Sequence, residues 1–384
     1  MEQKVLQILL PVPTRPAELA GVPAVVRTAR TLSEDGRVFL CTSNGESIAP
    51  WKLRLAGLPI EELGSYNGFK PIGKRLDPQA PLLHLASDGY PEASGLREFV
   101  RDARAAGGAS TWIWNGKVVA AYHSEAGPWV SRLAPGTREV PPAAAEAGAR
   151  EAQAGVPAWN DLADESGVKR AEQSLFDSLR SDADGYLARF DRTLSIALSK
   201  RLIRTPITPN QITTISLVVG LVGSALLASP GYWESVAGAL LLWSCCVLDG
   251  CDGEVARLKL MSSEFGATYD VIADNVVHVA IFAAIPVHLR NRHPGMDFWG
   301  PGLVLLSGVL LSMFFVWWFI LRKPASADDA ATKVYERIAS RDFIYLIAGL
   351  TMIQRLEWFL WSAALGAHVF WLSLVAVALL RPRK

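Results

Sequence analysis

Between residues 211 and 380 the chain passes through apolar runs at 211–228, 233–248, 267–288, 301–321, 343–354 and 358–380. Hydrocarbon offers no hydrogen-bond partners, so a backbone in such surroundings must satisfy itself as helix or closed barrel. Runs of this length predict an all-α polytopic membrane domain of about six helices. The second run is short for a bilayer core of about 30 Å, so its helix should continue through Gly253 into the polar stretch beyond. Gln354, Arg355 and Glu357 interrupt the last two runs, which leaves five or six spans open. Basic residues set the orientation. Lys200, Arg201, Arg204, Arg257, Lys259, Arg322, Lys323 and the last residues fall on one predicted side, against Arg290, Arg292 and Arg355 on the other. An integral protein of the cytoplasmic membrane, with both termini facing the cytoplasm, is expected.

Four aspartates are set into this apolar background in the stretch 248–276: Asp249, Asp252, Asp270 and Asp274. Spacings of three and four place each pair on one helix face. Carboxylates at the edge of a bilayer are costly and call for a compensating cation. Oxygen donors suit Mg²⁺, Mn²⁺ or Ca²⁺ rather than zinc, and four carboxylates fit one or two ions. Such ions commonly clamp phosphate oxygens. Arg257 carries a planar fork matched to phosphate, and Gly253 and Gly266 allow close backbone approach. A polar patch that merely caps two helices is the functionless reading.

Read as a spacing, the stretch is D-x2-D-G-x2-A-R-x8-G-x3-D-x3-D, from Asp249 through Asp252, Gly253, Ala256, Arg257, Gly266 and Asp270 to Asp274. It resembles the signature of the CDP-alcohol phosphotransferase family at every fixed position. The resemblance implies a six-helix, homodimeric membrane enzyme that uses two divalent ions, Mg²⁺ or Mn²⁺. It passes a substituted phosphate from a CDP-alcohol to an acceptor hydroxyl, with release of CMP. Carried over by position, Asp249, Asp252, Asp270 and Asp274 hold metal, and Asp249, Gly253, Ala256, Arg257 and Gly266 line the nucleotide site. Asp274 doubles as the catalytic general base. The segment TPNQITTIS, 208–216, is similar to the family's first membrane helix, which would bring Asn210 to the nucleotide; without that resemblance it is a proline-led helix start.

Residues 1–130 alternate strand and helix signals and predict a soluble α/β domain. Strands are expected at 5–10, 37–41, 82–86, 112–114 and 118–122, with helices at 23–32 and 95–106, and Asn115-Gly116 as a hairpin turn. The order faintly resembles the nucleotidyltransferases. Where that family has a glycine-rich phosphate loop this chain has LLPVPTRPAEL, so a degenerate domain is expected; Arg15 and Asp88 stand where basic and metal-binding residues would fall. No signal peptide pattern opens the sequence, so this half is expected to stay in the cytoplasm.

Residues 131–168, rich in Ala, Glu, Pro and Gly, read as a linker. At 169–204, Leu175, Leu179, Leu187, Phe190, Leu194 and Leu198 recur at helical spacing among basic residues. This predicts an amphipathic juxtamembrane helix lying in the lipid interface; packing against the first domain is the alternative. The membrane domain then occupies 205–384. Cys41, Cys245, Cys246 and Cys251 show no metal or disulfide spacing. A formal net charge of +1 gives no basis for a nucleic-acid partner.

Lys333, Arg337 and Arg341, four apart, would form one basic stripe on a helix and hold an acceptor phosphate, unless they are only positive-inside charges. The expected partners are a CDP-alcohol donor, a hydroxyl or phosphorylated polyol acceptor of inositol or glycerol type, membrane lipid and a second copy of the chain. The layout most resembles the bifunctional inositol-phosphate cytidylyltransferase and di-inositol-phosphate phosphate synthases. Two alternatives are a phosphatidyltransferase that uses CDP-diacylglycerol, and a non-enzymatic membrane-anchored sensor.

Overall fold

The computed structural model describes residues 5–12, 17–42, 51, 55–62, 75–86, 89–114, 117–131, 150–152, 159–180, 186–318 and 343–379. They fall into two compact units, Met1–Ser178 with Leu258–Leu260, and Leu179–Arg257 with Met261–Lys384.

The first unit is α/β. Its elements are β1 (Leu6–Val12), β2 (Glu18–Leu19), β3 (Val22–Pro23), α1 (Ala24–Leu32), β4 (Gly36–Thr42), β5 (Ile60–Glu62), β6 (Leu82–Leu85), β7 (Gly89–Pro91), α2 (Ala93–Ala106), β8 (Ala109–Trp114), β9 (Lys117–His123), α3 (Gly127–Ser131), β10 (Arg150–Ala152), β11 (Trp159–Asp161) and α4 (Glu165–Asp177). The main sheet has the order β10-β8-β9-β6-β1-β4-β5. β1 runs parallel to β4 and β6, and only β9 opposes its neighbours, β6 and β8. A central parallel strand is buried on both faces, which explains why 5–10 is apolar except for Gln7, whose buried amide is bonded to the Asp77 backbone. Leu6, Ile8 and Leu10 pack with Val26, Ala29, Leu96 and Phe99 of α1 and α2, while Leu9 turns the other way to Phe39, Leu82 and Trp129. β8 and β9 pair from Trp114 opposite Lys117, and the Asn115-Gly116 turn itself lies outside the described residues. Arg15 and Asp88 also lie outside them.

The stretch read as a linker is not wholly one. Arg150–Ala152 joins the main sheet beside β8, and Trp159–Asp161 pairs with β7. The helix expected over 169–204 starts earlier and is described as two pieces, the first of which, α4, belongs to this unit. Val168, Ala171 and Leu175, at helical spacing, pack with Leu19, Ala24 and Leu162. Composition hid this contact because its apolar partners are supplied by a distant part of the chain.

The second unit is helical: α5 (Tyr186–Leu202), α6 (Pro209–Leu227), α7 (Tyr232–Leu258), α8 (Glu264–Arg292), α9 (Trp299–Val316), α10 (Phe343–Met352) and α11 (Leu356–Leu379). Five of them, α6 to α9 and α11, are long and apolar enough to cross a membrane. At 1.5 Å per residue the ten residues of α10 rise about 15 Å, half a bilayer core. The break between α10 and α11 is a helix cap. Gln354 adopts a left-handed φ of 57°, and the Arg355 N–H reaches back 2.8 Å to the Leu350 carbonyl.

α7 is one helix of 27 residues, so the short second apolar run does continue through Gly253. α6 begins at a capping box in which Thr208 and Gln211 satisfy each other's backbone N–H. α6 lies close to α7 and α8: a Cβ at Gly220 would sit 2.7 Å from Val277 and 3.0 Å from Cys245 Sγ. The outer faces stay apolar, with Val218, Leu303, Trp358 and Leu365 all more than half exposed, as expected of helices bathed in lipid.

Acid should loosen the α/β unit. His84 is buried, edge-on to Trp129 at 5.8 Å, and burial, then the charge of His123, lowers its pKa from 6.5 to about 4. The folded form therefore binds fewer protons than the unfolded form between those values. Stability is level above pH 6.5 and falls as the pH drops towards 4, by at most about 3 kcal/mol. Hydrogen exchange of β6 and β9 amides, corrected for intrinsic rate, should show this loss of protection in the full chain and a flatter profile in His84→Gln.

Candidate metal and nucleotide site

The site is built on the facing ends of α7 and α8. Asp249 and Asp252 lie one turn apart on α7, and Asp270 and Asp274 one turn apart on α8. One carboxylate oxygen from each of Asp249, Asp270 and Asp274 lies within 4.8 Å of the others. A single ion with metal–oxygen bonds of about 2.1 to 2.5 Å can span such a group. The donor set is all oxygen, the chemistry of Mg²⁺, Mn²⁺ or Ca²⁺, so the residues present fit the expected divalent metal.

Asp252 is placed differently. It is 5 % exposed, accepts a hydrogen bond from the Thr213 hydroxyl on α6 and also meets Asp270. Its link to the metal group therefore runs through Asp270, while α6 fixes its rotamer. Thr213 is in turn held to the Pro209 carbonyl at 3.2 Å. Sequence reasoning passed over Thr213, although it lies inside the TPNQITTIS segment. One turn from Asn210 on the same helix is the signal that would have found it.

Asn210 and Gly266, named separately from sequence, come together. A Cβ built on Gly266 would lie 3.1 Å from Asn210 Oδ1 and 3.0 Å from Ser263 Oγ, the cap that accepts the Gly266 N–H. Any larger residue at 266 would push Asn210 aside. Above this corner Thr214 and Tyr269 share a hydrogen bond of 2.9 Å, and Tyr269 stacks on Phe265. On α7, the Arg257 guanidinium lies over Gly253, with Nη1 3.4 Å from where a Cβ would stand. Ala256 caps the helix by accepting the Met261 N–H at 2.8 Å. Cys251 points away from the carboxylates, its thiol 3.5 Å from the Ser195 carbonyl. Lys333, Arg337 and Arg341 lie outside the described residues.

This geometry separates ligands from their support. Asp249→Asn, Asp270→Asn and Asp274→Asn should each weaken Mn²⁺ binding by about a hundredfold or more, and Thr213→Val by about tenfold, as for outer partners of metal ligands. Titration of detergent-solubilised protein with Mn²⁺, followed by the free-ion EPR signal, measures both. An unchanged affinity in Thr213→Val would remove Thr213 from the support of the metal group.

Comparison with known proteins agrees with this region. Residues 206–379 match the family model described as CDP-alcohol phosphatidyltransferase. A bifunctional IPC transferase and DIPP synthase of Aquifex aeolicus is 34% identical over 142 residues, which cover 36% of this chain and 31% of that protein. A phosphatidylinositol phosphate synthase of Corynebacterium glutamicum is 39% identical over 92 residues, 23% of this chain and 39% of that one. The chain thus aligns with well under half the length of these relatives. A crystal structure of Mycobacterium tuberculosis phosphatidylinositol phosphate synthase with CDP-DAG bound overlaps 50% of this chain and 96% of its own, at 15% identity and a TM-score of 0.40. The matched residues 206–379 take in all five long apolar helices and the complete aspartate signature, so the similarity to the CDP-alcohol phosphatidyltransferase family lies in the helical unit.

Proposed function

We propose that the helical unit transfers a substituted phosphate from a CDP-alcohol to an acceptor hydroxyl and releases CMP, acting as a homodimer in the cytoplasmic membrane with its site and termini towards the cytoplasm. The observation that carries this is the convergence of Asp249, Asp270 and Asp274 beside the Asn210–Gly266 corner and the Arg257–Gly253 edge. Two divalent ions, Mg²⁺ or Mn²⁺, would be held by the four aspartates and would neutralise the diphosphate. Asn210 and Gly266 give a close-fitting corner for the nucleotide, and Arg257 supplies donors for a phosphate oxygen. Asp274 accepts the acceptor's hydroxyl proton as that oxygen bonds to the β-phosphorus, the bond from this phosphorus to the CMP oxygen breaks, and CMP leaves with the bonding pair. A carboxylate suits this role when it lies within hydrogen-bond reach of the hydroxyl.

The acceptor we favour is an inositol- or glycerol-type phosphate, with Lys333, Arg337 and Arg341 as its basic partners; one relative's name, phosphatidylinositol phosphate synthase, supports the inositol form. A CDP-diacylglycerol donor is a second reading, favoured by the exposed apolar side chains Ile215, Val218, Phe265 and Ile272 on α6 and α8 beside the nucleotide corner. The α/β unit we read as a nucleotidyltransferase-like domain without catalysis of its own. Where such a domain would offer backbone donors to phosphate, the Ala20 N–H is taken by Glu172 at 2.8 Å and the Ala24 N–H by the Ala17 carbonyl at 2.8 Å.

The test is CMP release by solubilised protein with Mg²⁺ or Mn²⁺, with CDP-inositol and CDP-diacylglycerol offered separately against inositol, inositol phosphate and glycerol phosphate. Asp274→Ala should lower the rate by about a thousandfold or more, in keeping with the upper range for a general base together with its metal contact. Gly266→Val should abolish turnover through Asn210. Release from CDP-inositol alone supports the first donor, and release from CDP-diacylglycerol alone the second. CTP-dependent diphosphate release by the full-length Asp274→Ala protein would show that the α/β unit is active after all.

A further inference from the structure

α5 does not simply rest on the lipid surface. Ser195, Ile196, Ser199 and Ile203 form a buried face, while Leu187 and Phe190 are left exposed, at 42% and 54%. The buried face sits on α7 at Gly250, where a Cβ would come within 3.3 Å of Ser195 Cβ, so a glycine is what lets the helices approach. At their contact lies Glu254, a carboxylate with no exposure at all. Its Oε1 accepts the Ser195 hydroxyl at 2.6 Å and Arg192 Nη1 at 3.3 Å, and Oε2 has no hydrogen-bond partner among the described residues. A buried carboxylate is expensive and is kept where its charge holds something in place.

What Glu254 holds is Arg192, and the helical repeat says where. At about 100° per residue, Gly250 and Glu254 form the α7 edge next to Gly253 and Arg257, which in turn border the Asp249 and Asp252 face. Arg192 is close enough to Arg257 to repel it, and its side chain is still 30% exposed. Two guanidiniums drawn to one edge of a carboxylate site, with one buried glutamate beneath, form an arrangement that an anionic ligand would complete. The aspartate signature includes Arg257 but neither Arg192 nor Glu254.

We infer that Arg192 is a second diphosphate-binding arginine of the nucleotide donor site, and that Glu254 with Ser195 is the anchor that positions it. The inference rests on the proposed use of a CDP-linked donor. It makes α5 part of the site, because the helix delivers a phosphate contact as well as packing area.

The experiment is equilibrium binding of CDP to the full-length detergent-solubilised protein with Mn²⁺, for wild type, Arg192→Ala, Arg192→Lys, Glu254→Gln and the Arg192→Ala/Glu254→Gln pair, with thermal stability measured in parallel. Loss of a charge-assisted phosphate contact should raise the CDP dissociation constant about tenfold in Arg192→Ala, with partial recovery in Arg192→Lys. If Arg192 served only to neutralise Glu254, the double variant would regain wild-type CDP binding as the buried charge is removed. The inference predicts that the double variant binds CDP as weakly as Arg192→Ala while its stability recovers. Unchanged CDP binding in Arg192→Ala, or full recovery in the double variant, overturns it. Wild-type protein that binds no CDP would overturn the proposed donor and this inference together, whereas wild type that binds CDP and releases CMP with an indifferent Arg192→Ala would sink the inference alone.

Discussion

Negative charge placed among apolar helices governs this molecule. Asp249 and Asp252 on α7 and Asp270 and Asp274 on α8 occupy the facing ends of two membrane-length helices. Isolated ionised carboxylates there would each cost several kcal/mol. The helical unit answers this cost locally: Thr213 donates to Asp252, and the oxygens of Asp249, Asp270 and Asp274 converge closely enough to share a cation. α6 supplies both a hydroxyl and Asn210 to the site, so it has to approach closely, and Gly220 and Gly266 are the positions where the added bulk of a side chain would prevent that.

The same logic extends to the juxtamembrane segment. Amphipathic pattern places Leu187 and Phe190 on one side of α5, and the structure leaves them exposed. The opposite side carries small polar residues that fit against Gly250 and Cys251. Asp191, beside Arg192, adds a second tie by accepting from Trp243 Nε1 of α7 at 3.0 Å and from the Tyr345 hydroxyl of α10. α5 is thereby fastened at two levels, near the carboxylates and about two turns further into α7. Hydrogen bonds of this kind matter most where water cannot substitute for them.

What the sequence disclosed follows from how local each signal is. Aspartates spaced by three and four need only helix geometry to be placed, and the second apolar run had to continue through Gly253 for want of length. The strands β1, β4 and β6 were legible because strands inside the sheet carry short buried apolar clusters, Ile8 to Leu10, Val38 to Leu40 and Leu82 to Leu83. Thr213, Ser195 and Glu254 were not legible, since a threonine, serine or glutamate in a helix is ordinary until another helix arrives to meet it. The strands at Arg150–Ala152 and Trp159–Asp161 were hidden for the same reason: three residues that pair with β8 or β7 carry no periodicity of their own. The break at Gln354 depended on a backbone conformation that sequence pattern rarely reveals outside glycine.

The central claim is that these carboxylates hold a divalent ion to which a nucleotide diphosphate is bound directly. Pulsed EPR on the Mn²⁺-loaded protein tests it, through the hyperfine coupling of ³¹P nuclei to the bound ion on addition of CDP. The account predicts a strong phosphorus coupling in wild type that disappears in Asp270→Asn. A bound Mn²⁺ that shows no phosphorus coupling with CDP, or a coupling that survives loss of Asp270, would contradict it.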